Sequence, residues 1–430
     1  VGSAAADCRL VAVRAFFLVG VFAMVAGDWP AFGAPPGHRV IRWATVVGPW
    51  LYLSLLALSS ALLAWIRRWR APAGIAALVR PVGALALAFL VSAVFSQAPA
   101  LSWVAVACFV VVLAFGLTVA WFLDDEPAPG LLSLALSAAV VVLATRVVGW
   151  RLSEGLSAPA FHVSNNAWLG KLQIAWVLNL VAPFLFAGFL GERRLVLATF
   201  YGSAWLASGA AVHVLYSRAG SLVFAVTTLL VCALNAGRWR RWLTVLGVLV
   251  LLVGVIVLSG GLAMSRSVVA SLARPDRDPG IGMRTEVWRE TLRMIRDRPL
   301  TGVGLGTYDD VAYSRYGTSG DRHFFRNGWH AHNLLLHLAA ETGALGVVAW
   351  GYFWVVVVGL LWRQWRSGDP TQRLAASAGL GLAAAFFVLS MTEVLVAMRV
   401  HASLRMNLTL TLLVVYGVRS AGAGRAREPR

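Results

Sequence analysis

Apolar runs long enough to cross a bilayer, roughly 20 residues, recur along this chain. Twelve spans are expected, at 10–27, 44–65, 82–96, 101–123, 129–149, 172–190, 195–215, 220–236, 242–263, 343–362, 374–395 and 401–418. Backbone polar groups in lipid must be paired within the segment, so such runs fold as helices. The predicted fold class is an all-α polytopic membrane protein. Of 430 residues, 59% are hydrophobic and 13% charged, whereas a soluble domain carries about a quarter charged residues. That balance excludes disorder, a collagen-like repeat, a disulfide scaffold and an ordinary soluble enzyme. Spans three and four are separated only by 97–100 and also read as one broken helix. Asp28, Trp29 and Pro30 follow the first run instead of a small-residue cleavage site. That run is therefore expected to remain as a span.

The formal net charge is +18, and every basic residue but Lys171 is Arg. Planar, always-charged guanidinium groups suit phosphate. The excess is spread over membrane loops, so anionic lipid headgroups or a phosphorylated substrate are the expected partners, and nucleic acid is not. With the N-terminus inside, the inner segments hold Arg67, Arg68, Arg70, Arg80, Arg193, Arg194, Arg238, Arg240, Arg241, Arg363, Arg366, Arg373, Arg419, Arg425, Arg427 and Arg430. The short outer loops hold only Arg39, Arg42, Arg151, Lys171, Arg218 and Arg399. The positive-inside rule thus puts both termini inside and the long segment 264–342 outside. Three units are expected: spans one to nine over 1–263, the external loop over 264–342, and spans ten to twelve with the tail over 343–430. Cys8, Cys108 and Cys232 lack metal-ligand spacing and read as small buried hydrophobes.

The external loop has its own pattern. A helix is predicted over about 282–298. Arg284, Val287, Trp288, Thr291, Leu292 and Ile295 share one face, and Glu286, Arg289, Glu290, Arg293, Arg296 and Asp297 the other. Pro299 closes it. Gly302, Gly304 and Gly306 follow without the Lys-Ser or Lys-Thr pair of a phosphate loop, so this stretch reads as a turn.

Four features are candidates for chemistry. In HAHNLLLHLAAETGALG (330–346), His332 near an external aqueous cavity has the chemistry of a general base. The same letters fit a helix start capped by Asn333, and a metal reading of His330, His332 and His337 lacks carboxylates or thiolates beside it. Arg218, in Tyr216-Ser217-Arg218-Ala219-Gly220, is flanked by apolar sequence, where a charge marks a functional site or snorkels to the headgroups. Arg284 opens an apolar helix face at the end that disfavours cations, which points to an anion or to a solvated helix start. Arg146 and Arg266 fall at the external interface, where headgroup contact is the simpler role. HExxH and paired intramembrane carboxylates are absent from the sequence, against a zinc protease or an aspartyl intramembrane protease.

These segments resemble the O-antigen ligase and polymerase superfamily. His332, Asn333, Leu336, Glu341, Gly343 and Gly346 are similar to its His-Asn, Leu and Glu-x-Gly-x-x-Gly signature. GMRTEVWRETLRMIRDRPLTGVGLGTY (282–308) is similar to its Arg, Trp and Pro-x-x-Gly-x-Gly pattern, with Arg284 at the Arg. Ser217-Arg218-Ala219-Gly220 resembles its Ser-Arg-Gly segment, with Ala and Gly exchanged. The resemblance implies a bacterial inner-membrane glycosyltransferase with a GT-C-like bundle and a periplasmic active site. It implies a glycan donor on undecaprenyl pyrophosphate and a lipid A–core acceptor in the ligase branch; direct displacement would invert the sugar, and with no carboxylate cluster at the external face no metal or other cofactor is expected. His332, Arg218 and Arg284 would be catalytic; Arg266, Arg146, Asn333 and Glu341 would bind substrate. Polymerases and protein-glycosylating members share the motifs. Outside enzymes, a transporter of polyprenyl-linked sugar would share the spans and arginines, but an inverted repeat would be expected.

Overall fold

The computed structural model describes residues 2–26, 54–63, 75–124, 128–154, 165–215, 217–235, 247, 279–316, 330–367, 369–395 and 402–422. Among them the regular structure is helical, without strands. In chain order the helices are α1 (Gly2–Ala26), α2 (Ser54–Leu63), α3 (Ala76–Val94), α4 (Pro99–Phe122), α5 (Ala128–Glu154), α6 (Asn165–Gly191), α7 (Leu195–Val214) and α8 (Arg218–Leu234). They continue with α9 (Pro279–Asp297), α10 (Tyr308–Val311), α11 (Leu334–Trp365), α12 (Pro370–Ser390) and α13 (Ala402–Gly422). Eleven of the twelve expected spans meet a helix; the one at 242–263 lies, but for residue 247, outside the described residues. Spans three and four are separate helices, and Pro99 at the first turn of α4 marks the restart.

The bundle is built for lipid. α6 and α12 are its most enclosed helices. α11 leaves Val348 70% and Val355 71% exposed, which hydrocarbon, unlike water, does not penalise. Polar side chains inside are absorbed locally. Ser59, Thr118, Ser137 and Asn179 each donate to the carbonyl four residues back.

The two ends of the bundle differ. At one, Trp365 donates to the Leu234 carbonyl at 2.9 Å, Asn235 bonds Ser377, and Arg419 pairs with Asp124. Arg193 and Arg194, between α6 and α7, and Arg363, Arg366 and Arg373, around the α11–α12 turn, belong to this end. At the other end, Gln97 after α3 donates to the Val303 carbonyl, and Asn333 before α11 reaches the Met391 carbonyl after α12. The α7–α8 turn with Ser217 and Arg218 falls at this second end.

Two details depart from the periodicity argument. In α9 the buried residues are Val287, Glu290, Thr291 and Met294, while Leu292 is 55% exposed. The core-facing stripe is therefore rotated by about one residue, and Glu290 is pulled inward with Arg293 at 2.9 Å. The helix expected at 343–362 begins nine residues earlier, at Leu334. It is broken at Gly343, whose φ of 63° and ψ of −164° are not helical.

Candidate active site

The break in α11 and the glycine turn after α9 are two halves of one clasp. Opening the helix at Gly343 frees the Ala340 and Glu341 carbonyls, which accept from Val303 (2.8 Å) and Gly304 (3.0 Å). In return, Ala344 and Leu345 donate to the Pro299 and Leu300 carbonyls. The backbones approach so closely that only glycine fits. A Cβ on Gly302 would stand 2.2 Å from the Glu341 carbonyl carbon, and one on Gly343 would stand 2.3 Å from Leu300. Both also have positive φ. The Glu341 carboxylate accepts from the amide of Tyr308 at 3.1 Å and from those of Gly306 and Thr307, so it caps α10. The glycine motifs thus have a mechanical reason. They lock α9 and its Arg284 onto the His-bearing start of α11.

Gly302→Ala and Gly343→Ala are therefore expected to lower the melting temperature in detergent, each costing about 1–3 kcal/mol or more. Gly351, with nothing within 4 Å of its Cβ position, should tolerate Ala unchanged. Equal melting temperatures for all three variants would refute the clasp.

Beside the clasp, α9, the α11 start and the segment after α12 bring four ionisable groups together. Trp288 donates to the Ala331 carbonyl at 2.7 Å and fixes the approach to α11. Asn333 is the N-cap, its Oδ1 accepting from Leu336 N at 3.1 Å. Between them His332 has φ 49°, an uncommon conformation for a residue with a Cβ. That turn brings the His330 and His332 rings to 4.3 Å and aims both at Glu393. His332 Nδ1 lies 3.1 Å and His330 Nε2 3.7 Å from Glu393 Oε2. Arg284 Nη2 lies 3.4 Å from the other oxygen, Oε1.

Electrostatics follow the contacts. Burial alone would raise the Glu393 carboxyl. The His332 hydrogen bond and the nearby His332, His330 and Arg284 charges outweigh it and hold the group below the ordinary carboxylate range. Burial first, then the charges of His332 and Arg284, push the His330 imidazole down to about 4 against the pull of Glu393. Chemically this is an imidazole oriented by a buried carboxylate, with a guanidinium on the carboxylate's far side. When His332 donates its Nδ1 proton to Glu393, Nε2 is the unprotonated, basic nitrogen of the ring.

The expected site residues thus divide. Arg284 and His332 meet through Glu393. Asn333 caps α11 and ties it to the end of α12. Glu341 belongs to the clasp, where His337 Nε2 lies 3.5 Å from it. His337 therefore leaves the histidine grouping considered from sequence. One donor each from His330, His332 and Glu393 lie within 4.8 Å of one another instead. Arg146 is exposed and donates to the Ala26 carbonyl at 3.2 Å. Arg218 begins α8 behind the N-cap Ser217, whose Oγ accepts from Gly220 N at 3.1 Å; its side chain lies outside the described atoms. Arg266 lies outside the described residues. Sequence reasoning missed Glu393. Its signal was present: it is the single charged residue in the span expected at 374–395, and an ionisable group there marks a site by default.

Under the site, α3, α4, α11 and α13 enclose a cavity of about 460 Å³. Its walls are mostly apolar, among them Leu85, Phe89, Phe109 and Trp354, and its polar lining includes His337, Glu341, Asn407 and Thr411. No curated protein matches the chain. Residues 202–351, from α7 through the clasp and the His332 turn into α11, match the family model described as O-antigen ligase, a match over about a third of the chain that supports membership of the O-antigen ligase and polymerase superfamily of glycosyl-transferring membrane enzymes.

Proposed function

We propose that this protein is an O-antigen ligase, moving glycan from undecaprenyl pyrophosphate to lipid A–core at the periplasmic face of the bacterial inner membrane. The carrying observation is the Arg284–Glu393–His332 cluster at the bundle end where Arg218 opens α8. The opposite end gathers Arg193, Arg194, Arg363, Arg366 and Arg373, so the positive-inside rule supports an outward-facing site. The division at 1–263, 264–342 and 343–430 belongs to this reading.

His332 Nε2 accepts the proton of an acceptor sugar hydroxyl as that oxygen attacks the anomeric carbon. The carbon–oxygen bond to pyrophosphate breaks on the opposite face, inverting the centre. Arg218 and Arg284 meet the charge that develops on the leaving group, a task often given to a metal ion. Arg284 spends one nitrogen on Glu393 and presents the rest of its fork. Arg146 and Arg266 contribute positive charge toward headgroups, and the apolar cavity suits a lipid chain. A polymerase reading rests on an Arg-x10-Gly spacing. Here that spacing joins Arg293, half-exposed and paired with Glu290 within α9, to Gly304, packed on Ser96 and Ser102.

The test is transfer by purified protein with lipid-linked glycan and lipid A–core, with and without chelator. Glycan should appear on lipid A–core, and EDTA should not abolish it. Elongated donor alone would make the enzyme a polymerase; loss in EDTA with rescue by a divalent ion would end the arginine-for-metal argument. Orientation is checked separately, in a background lacking Cys8, Cys108 and Cys232. Ser314→Cys should react with an impermeant thiol reagent in cells with a permeable outer membrane, and Ser367→Cys should not. The reverse pattern would invert the topology.

A further inference from the structure

We propose that His330, His332 and Glu393 also form a binding site for a divalent ion of the zinc class, and that occupancy switches transfer off. The second part rests on the base role given to His332.

The geometry is that of a metal site before the metal. Zinc binds imidazole nitrogen and carboxylate oxygen at about 2.0–2.2 Å in a tetrahedron, which separates neighbouring donors by about 3.3 Å. The two histidine–carboxylate separations here, 3.1 and 3.7 Å, bracket that value. Two imidazoles, one carboxylate and an open fourth position are a common zinc donor set, and they suit Mg²⁺ and Ca²⁺ poorly. The arrangement is imposed by backbone. The left-handed turn at His332 swings residues two apart onto one carboxylate oxygen, and Trp288 and Asn333 hold that turn from either side. Strained backbone held in place by its surroundings is a recurrent mark of functional sites. Among the described residues the His330 side chain keeps 22% exposure while His332 keeps 7%, so His330 is the outer ligand. The opposing group is Arg284, which faces the other carboxylate oxygen. Its charge keeps the site weaker than a dedicated structural one, so occupancy is reversible.

Inhibition follows from which nitrogen the ion takes. Glu393 lies on the Nδ1 side of His332, so the ion binds there and displaces the Nδ1 proton. A neutral imidazole carrying metal on Nδ1 carries its proton on Nε2, and that nitrogen can no longer accept one from the acceptor hydroxyl.

The experiment uses the full chain in detergent. The zinc X-ray absorption spectrum of protein loaded with Zn²⁺ and desalted should show two imidazole nitrogens and a carboxylate oxygen. Micromolar Zn²⁺ should stop transfer, Mg²⁺ at the same concentration should not, and EDTA should restore it. His330→Gln should lose far less turnover than His332→Ala and, measured against its own zinc-free rate, need at least about tenfold more Zn²⁺ for the same fractional inhibition. No bound zinc after desalting, or equal inhibition of wild type and His330→Gln, overturns the proposal. Full turnover in His332→Ala would sink the base role and the inhibitory part with it; the spectrum tests the site without reference to turnover.

Discussion

His332→Ala should lose about 10² to 10⁴ in turnover, the usual worth of a general base, while donor binding survives. The two effects separate because the imidazole faces Glu393, whereas pyrophosphate is assigned to Arg218 and Arg284. His330→Ala and His337→Ala should cost turnover far less. His330 is the outer member of the pair, and His337 is packed against Tyr308 and Glu341 in the clasp. Glu393→Gln is the informative companion. An amide keeps the shape, but its NH₂ can face Nδ1 as readily as its oxygen, and the first choice stabilises the wrong tautomer. Turnover should fall with KM for the donor nearly unchanged. Donor affinity by a binding assay, with single-turnover rates, decides the matter. Full turnover in His332→Ala, or loss of donor binding in place of turnover, would reduce His332 to a positioning residue.

Much of this architecture is legible in the sequence because lipid simplifies the problem. A run such as 101–123 has one way to satisfy its backbone, and α4 follows it closely. His332 and Arg284 stand out in the sequence because each belongs to a local motif, one at the start of α11 and one in α9. What the sequence hides is contact between distant elements. Glu393 comes to His332 across 61 positions, and periodicity carries no information on such pairs. Glu341 reads as a site carboxylate by motif alone, yet the Gly343 break turns it toward the amides of 306–308. The α9 stripe was misplaced for a related reason. Hydrophobicity favours Leu292 inward, but the Thr291–Tyr308 bond at 2.6 Å and the Glu290–Arg293 pair set the rotation.

Arg284→Ala and Arg218→Ala are each expected to abolish detectable transfer, and Lys at either position to restore little. The leaving pyrophosphate gains charge as the sugar bond breaks, and removing one preorganised donor to such charge typically costs about 10² to 10³ in rate. An ammonium retains the charge but cannot grip two oxygens in one plane. Folding is a poor alternative explanation for Arg284, because its side chain is 32% exposed and it is one of three groups on the Glu393 carboxylate. Its partner Glu393 keeps His332 and His330 in any case. Arg218 stands at the first turn of α8, where the N-cap Ser217 and Gly220 carry the helix start, so its truncation should also spare the fold. Melting temperature and size-exclusion profile in detergent, beside single-turnover transfer, separate the possibilities. Near-wild-type transfer by both Lys variants would reduce the two arginines to generic positive charge. Retained transfer in Arg284→Ala would detach the α9 clasp from catalysis, leaving Glu393 to be explained by its histidines alone.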